Sequence, residues 1–73
     1  MRIGDVINDI IDPRVFELVS VSAPGELVEE MWGTITDRLY NDRDTQSGVE
    51  IGDFLNIPIP ASIEGVVCFR RIE

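Results

Sequence analysis

Any chemistry in this chain has to come from carboxylates, guanidinium groups, hydroxyls and one thiol. Fourteen Asp and Glu stand against six basic residues, there is no His, and the formal net charge is −8. All six basic residues are Arg, and there is no Lys. Without His there is no Ser-His or Cys-His activation of a nucleophile and no imidazole metal site. Without Lys there is no Schiff base and no phosphate-cradling P-loop lysine. Phosphate neutralisation needs clustered cations, so direct nucleic-acid binding is not the expected main mode.

Four groupings remain to be weighed. Asp42, Asp44, Gln46, Glu50 and Asp53 fall at alternate and terminal positions of an EF-hand-like loop. The required glycine position is occupied by Ser47, however, and the last ligand position is Asp rather than bidentate Glu, so a solvated loop is expected. Glu29 and Glu30 are paired carboxylates, but no partner base or oxyanion donor set accompanies them, and exposed helix-face acids are the plainer reading. Arg70 and Arg71 form a small basic pair with one side chain for each face of a strand. They suit either a salt bridge to the chain's own acidic surface or a bidentate contact to a partner or to a nucleic-acid phosphate. Cys68, the single cysteine, lies between Val67 and Phe69 and reads as a small core hydrophobe. No catalytic residue, metal ligand or cofactor site is expected, and the chain is read as a protein other than an enzyme.

These groups must be carried by one small domain. Seventy-three residues lie near the lower size at which a chain buries a sufficient core without disulfides, and 44% apolar content places it among globular chains. The run Val66, Val67, Cys68, Phe69 is far too short to span a bilayer. The first residues lack a signal-peptide pattern, so a cytoplasmic protein without membrane association is expected.

The organising element is a helix expected over residues 23–41. Leu27, Val28, Met31, Trp32, Ile35 and Leu39 fall within about 140° of arc, the apolar stripe of a core-facing helix. Glu26, Glu29, Glu30 and Asp37 lie on the other side. Pro24 suits the first turn, the early glutamates suit the positive end of the helix dipole, and Arg38 suits the last turn. Gly33 sits mid-helix at a cost of about 1 kcal/mol relative to Ala. Trp32 lies at the border of the stripe, as core or as a partly exposed anchor.

Residues 3–11 place Ile3, Val6, Ile7, Ile10 and Ile11 at helical spacing, with Asp5 as N-cap, so a short N-terminal helix is expected, ended by Asp12-Pro13. The β-branched isoleucines weaken that preference, and a strand at the first three residues is the alternative entry. Residues 14–22, 49–57 and 65–72 read as strands. Pro58 and Pro60 confine the segment around them to a sheet edge or an extended stretch. The pattern I-G-D-apolar-apolar-N occurs at residues 3–8 and again at 51–56, as a glycine turn and an Asp cap opening a short helical turn, used twice. The expected architecture is α+β: one long amphipathic helix on a small antiparallel sheet, plus the short N-terminal helix.

With the catalytic groups removed, binding is the economical use of the acidic face. Glu26, Glu29, Glu30 and Asp37 are candidate contacts to a protein with a basic surface, Trp32 is a candidate anchor, and Arg70 and Arg71 are candidate partner contacts. Together with Asp5, Asp9, Asp12, Asp42 and Asp44 the acidic helix face offers phosphate-like charge spacing, and the net negative charge steers basic partners over about a Debye length. In its length, acidity and lack of His the whole chain resembles the small host-takeover proteins of bacteriophages, RNA-polymerase-binding transcription regulators among them. That resemblance implies binding to bacterial RNA polymerase in the host cytoplasm, by a monomer, with inhibition of initiation and modulation of termination. Two other readings stay open. One is an acidic nucleic-acid mimic that blocks a DNA- or RNA-binding complex, as anti-CRISPR and anti-restriction proteins do. The other is an antitoxin-like interaction module.

Overall fold

Strand β1 (Val6–Ile7) forms where the sequence pattern favours a helix. The computed structural model describes residues 2–41, 49–59 and 65–73. Gly4 adopts φ +94°, which a helix cannot contain. Asp5 accepts the Arg2 N–H at 2.7 Å and so closes a turn instead of capping a helix. The Gly4 N–H then donates to the Leu18 carbonyl at 2.8 Å, and the Leu18 N–H returns to the Asp5 carbonyl at 2.9 Å. The expected N-terminal helix is therefore absent. Of its apolar stripe only Ile7 packs on the core, while Ile10 and Ile11 are almost wholly exposed.

Strand β2 (Phe16–Ser22) follows, with Phe16 and Leu18 buried and Glu17 turned to the other face. The expected long helix is two: α1 (Gly25–Glu30) and α2 (Trp32–Asn41), broken at Met31, where φ is −96° and ψ is 6°. The break lies where local propensity is weakest. The first turns of α2 read Trp-Gly-Thr-Ile-Thr, with a glycine and three β-branched residues. The Thr36 hydroxyl donates back to the Trp32 carbonyl at 3.0 Å, a bond of the kind that bends helices. The apolar stripe survives the break, since Val28, Ile35 and Leu39 are fully buried.

Strands β3 (Phe54–Pro58) and β4 (Val66–Arg71) complete a four-stranded antiparallel sheet in the order β1-β2-β4-β3. Strand β3 starts later than expected because residues 50–53 form a second turn. Pro58 sits on an edge strand, where a missing N–H is tolerated. Pro60 lies outside the described residues. Thus the α+β mixture holds, but one long helix, an N-terminal helix and a three-segment sheet give way, among the described residues, to two short helices on four strands. The helices cover one sheet face, burying Phe16, Leu18, Ile57, Val67 and Phe69 against Val28, Ile35 and Leu39.

The repeated I-G-D pattern is one turn built twice, and each copy opens an edge strand rather than a helical turn. Gly52 has φ +97°, Asp53 accepts the Glu50 N–H at 3.0 Å, the Gly52 N–H donates to Arg71 at 2.7 Å, and the Arg71 N–H returns to Asp53 at 3.0 Å. These match the bonds of Gly4 and Asp5 with Leu18. The correspondence pairs β1 with β3 and β2 with β4. Glu17 and Arg70, equivalent under it, are also direct partners across the central strand pair. An approximate twofold axis therefore passes through the sheet between them.

Candidate functional site

Tyr40 is where the N-terminal segment meets α2. Its hydroxyl lies 3.1 Å from the Ile7 carbonyl and 3.0 Å from the Arg14 carbonyl. Its ring meets Phe16 edge-on, with centroids 5.3 Å apart. Burial raises the pKa of the phenol above its ordinary value, and the nearby charges of Asp12 and Asp9 push it the same way. Arg14 completes the junction. Its Nε and Nη2 donate to the Asp12 carboxylate at 2.9 and 2.6 Å, and Nη2 also reaches the Tyr40 carbonyl at 2.9 Å. The guanidinium carbon stands 5.5 Å from the Tyr40 ring centroid and 5.8 Å from that of Phe16, within cation–π range. The hydrogen bond to Arg14 holds the Asp12 carboxyl down at about 2, and the same bond raises the pKa of Arg14.

This junction holds β1 and the turn after it beside α2, leaving a groove of about 780 Å³ between them. Asp5 and Asp9 line one wall and Glu29 and Asp37 the other, with Trp32 and Tyr40 adding aromatic surface; among the described residues no Arg lines it. Trp32 is half-buried, its ring centroid 6.0 Å from that of Phe69 and the ring planes inclined by 45°. Asp37 is exposed and accepts a hydrogen bond from Asn41 Nδ2 at 2.8 Å. Four carboxylates line this groove, which gives it a negative potential. Trp32 adds a ring face of the kind that attracts guanidinium and ammonium groups.

The sequence-based candidates divide. The fold brings Glu29, Trp32 and Asp37 together. Glu26 and Glu30 are exposed on α1 outside the groove lining. Arg70 is exposed on the sheet, and neither it nor Arg71 lines the groove. Arg71 instead donates to the carbonyls of Val49 at 2.7 Å and Glu73 at 2.9 Å, so its role is to pin chain segments. Asp42, Asp44 and Gln46 of the EF-hand-like spacing lie outside the described residues. Among the described residues no group of three or more Asp, Glu, Cys or His could hold a metal ion, and no helix is long and apolar enough to cross a membrane.

Sequence reasoning missed Tyr40 and the Asp12–Arg14 pair as the supports of the groove. Only the short spacing of Asp12 and Arg14 hinted at a local clasp, and nothing in the order of residues links either to position 40. Comparison with known protein families, with curated proteins and with solved structures finds no match to this chain.

Proposed function

We propose that this chain is a binding protein without enzymatic activity, which docks its acidic groove on a basic surface of a protein partner. The observation that carries the reading is that Asp5, Asp9, Glu29 and Asp37 line one groove together with Trp32, with no Arg among the described lining residues. A protruding Arg or Lys of the partner enters the groove, meeting carboxylates on both walls and the Trp32 ring at one side. The remaining acids of α1, Glu26 and Glu30, contribute long-range attraction. Such charge raises the association rate more than it strengthens the final contact.

The resemblance to small phage proteins supports bacterial RNA polymerase as the partner and the host cytoplasm as the place of action. Occupying a polymerase surface hinders promoter-complex formation and alters termination without any chemistry. The test is a titration of purified bacterial RNA polymerase with the chain, read by Trp32 fluorescence, alongside capture of polymerase subunits from lysate. Binding that is lost when Glu29→Gln and Asp37→Asn are combined supports the groove. No binding to the polymerase removes it as the partner.

Mimicry of nucleic acid is the second reading, favoured by the four carboxylates that line a single groove. It predicts steep weakening with salt and sensitivity to every acid, including Glu26 and Glu30. Polymerase docking through the groove predicts a modest salt slope and loss through one or two anchors.

A further inference from the structure

Among the described residues the helices cover only one face of the sheet. On the opposite face Val6, Glu17, Arg70 and Phe54 form a single row across all four strands. Phe54 is 62% exposed and Val6 51%, at the two ends of this row. Among the described residues neither Glu17 nor Arg70 makes a side-chain hydrogen bond or ion pair, although they are direct neighbours across the central strands. Beyond this row, the paired residues on the same face of the three longer strands carry no charged side chain.

We infer that this uncovered face is where a second copy of the chain docks, sheet against sheet, with Glu17 of each copy against Arg70 of the other. The order of the row selects this arrangement. A twofold axis running parallel to the strands places Glu17 over Arg70, and Val6 over Phe54. An axis in the sheet plane but perpendicular to the strands instead places Glu17 over Glu17 and Arg70 over Arg70, which like-charge repulsion opposes. The favoured geometry buries both apolar ends of the row and both unpaired charges at once, in an isologous contact.

The size of the face sets the strength. Strands about 4.8 Å apart and three rows of side chains amount to about 300 Å² per copy. A standard interface buries about 800 Å² per partner, so this contact is small and the dimer is weak and reversible. It departs from the monomer expected from the sequence. The contact uses Arg70, which the groove leaves unemployed, and it keeps both acidic grooves open on the helix side. It stands independently of the proposed function.

Sedimentation equilibrium across a concentration series is the test, with the fold of each variant checked by Trp32 fluorescence and thermal melting. The apparent mass rises from the 8.2 kDa of one chain toward twice that value. Phe54→Ser weakens association, and Glu17→Arg weakens it by about tenfold or more by setting like charges face to face. Glu17→Arg also makes the chain less negative, so general charge repulsion alone predicts the opposite sign. The exchange Glu17→Arg with Arg70→Glu restores association to within about threefold of the parent chain, as a coupled pair requires. A mass that stays at 8.2 kDa up to about 1 mM overturns the inference. So does a dimer indifferent to these substitutions.

Discussion

Arg14 holds Asp12 through two nitrogens, at 2.9 and 2.6 Å, and both side chains are partly shielded from water, 12% and 24% exposed. The carboxyl pKa falls from 3.8 to about 2 because the ionised form alone accepts both bonds. A group whose folded pKa is depressed contributes stability above its unfolded pKa and loses it as pH falls through the folded value. Asp12→Asn should therefore cost about 1 kcal/mol near neutral pH, a figure reduced for the water that Asp12 still meets. The difference between parent and variant shrinks below pH 3.8 and disappears toward pH 2. Urea unfolding of both proteins across that pH range measures it.

Tyr40→Phe keeps the ring against Phe16 and removes only the hydroxyl. The carbonyls of Ile7 and Arg14 then lose their shared donor, at an expected cost of about 1–2 kcal/mol. The urea midpoint should fall with an unchanged slope. Exchange of the Gly4 and Leu18 amides should accelerate more than that of β4, because the hydroxyl fastens β1 and not the central strands. Equal acceleration throughout would contradict that localised role.

The glycines make opposite predictions. Gly4 and Gly52 hold φ of +94° and +97°, so alanine at either strains the turn, at about 1–2 kcal/mol. Similar losses at both are expected, since the two turns carry the same set of bonds. Gly33 has an ordinary helical backbone, and an added methyl meets nothing within 4 Å. Gly33→Ala should stabilise the chain by about 1 kcal/mol, seen as a higher thermal midpoint. It lines the groove, so the same variant also reports whether a partner tolerates bulk there.

Groove acids and outer acids should separate in binding. Glu29→Gln with Asp37→Asn is expected to speed dissociation and to cost at least about tenfold in affinity, whereas Glu26→Gln with Glu30→Gln mainly slows association and costs about threefold or less. Surface plasmon resonance against bacterial RNA polymerase, the proposed partner, resolves the two. Equal effects from both pairs would favour diffuse nucleic-acid mimicry.

Much of the strand content was legible because β-branched and aromatic runs at residues 16–22 and 66–71 have no comparable helical alternative. The N-terminal segment misled for a definable reason. Ile3, Val6, Ile7, Ile10 and Ile11 satisfy helical spacing, but spacing says nothing about whether a core waits beneath. The Gly4 turn and its bonds to Leu18 outweighed the pattern. The helix over residues 23–41 kept its apolar stripe and lost its continuity at Met31, where Gly33 and the β-branched residues of α2 made the break inexpensive.

By itself, the amino-acid order determined the α+β composition, the two glycine turns, the edge position of Pro58 and the exclusion of imidazole and lysine chemistry. Those follow from local backbone preference and from which groups are present. Only the tertiary structure decided that Asp5 and Asp9 face Glu29 and Asp37, and that Glu17 lies beside Arg70. Both relationships depend on the strand order β1-β2-β4-β3, which is set by hydrogen bonds and burial between segments distant in the chain. No spacing within a single segment encodes them.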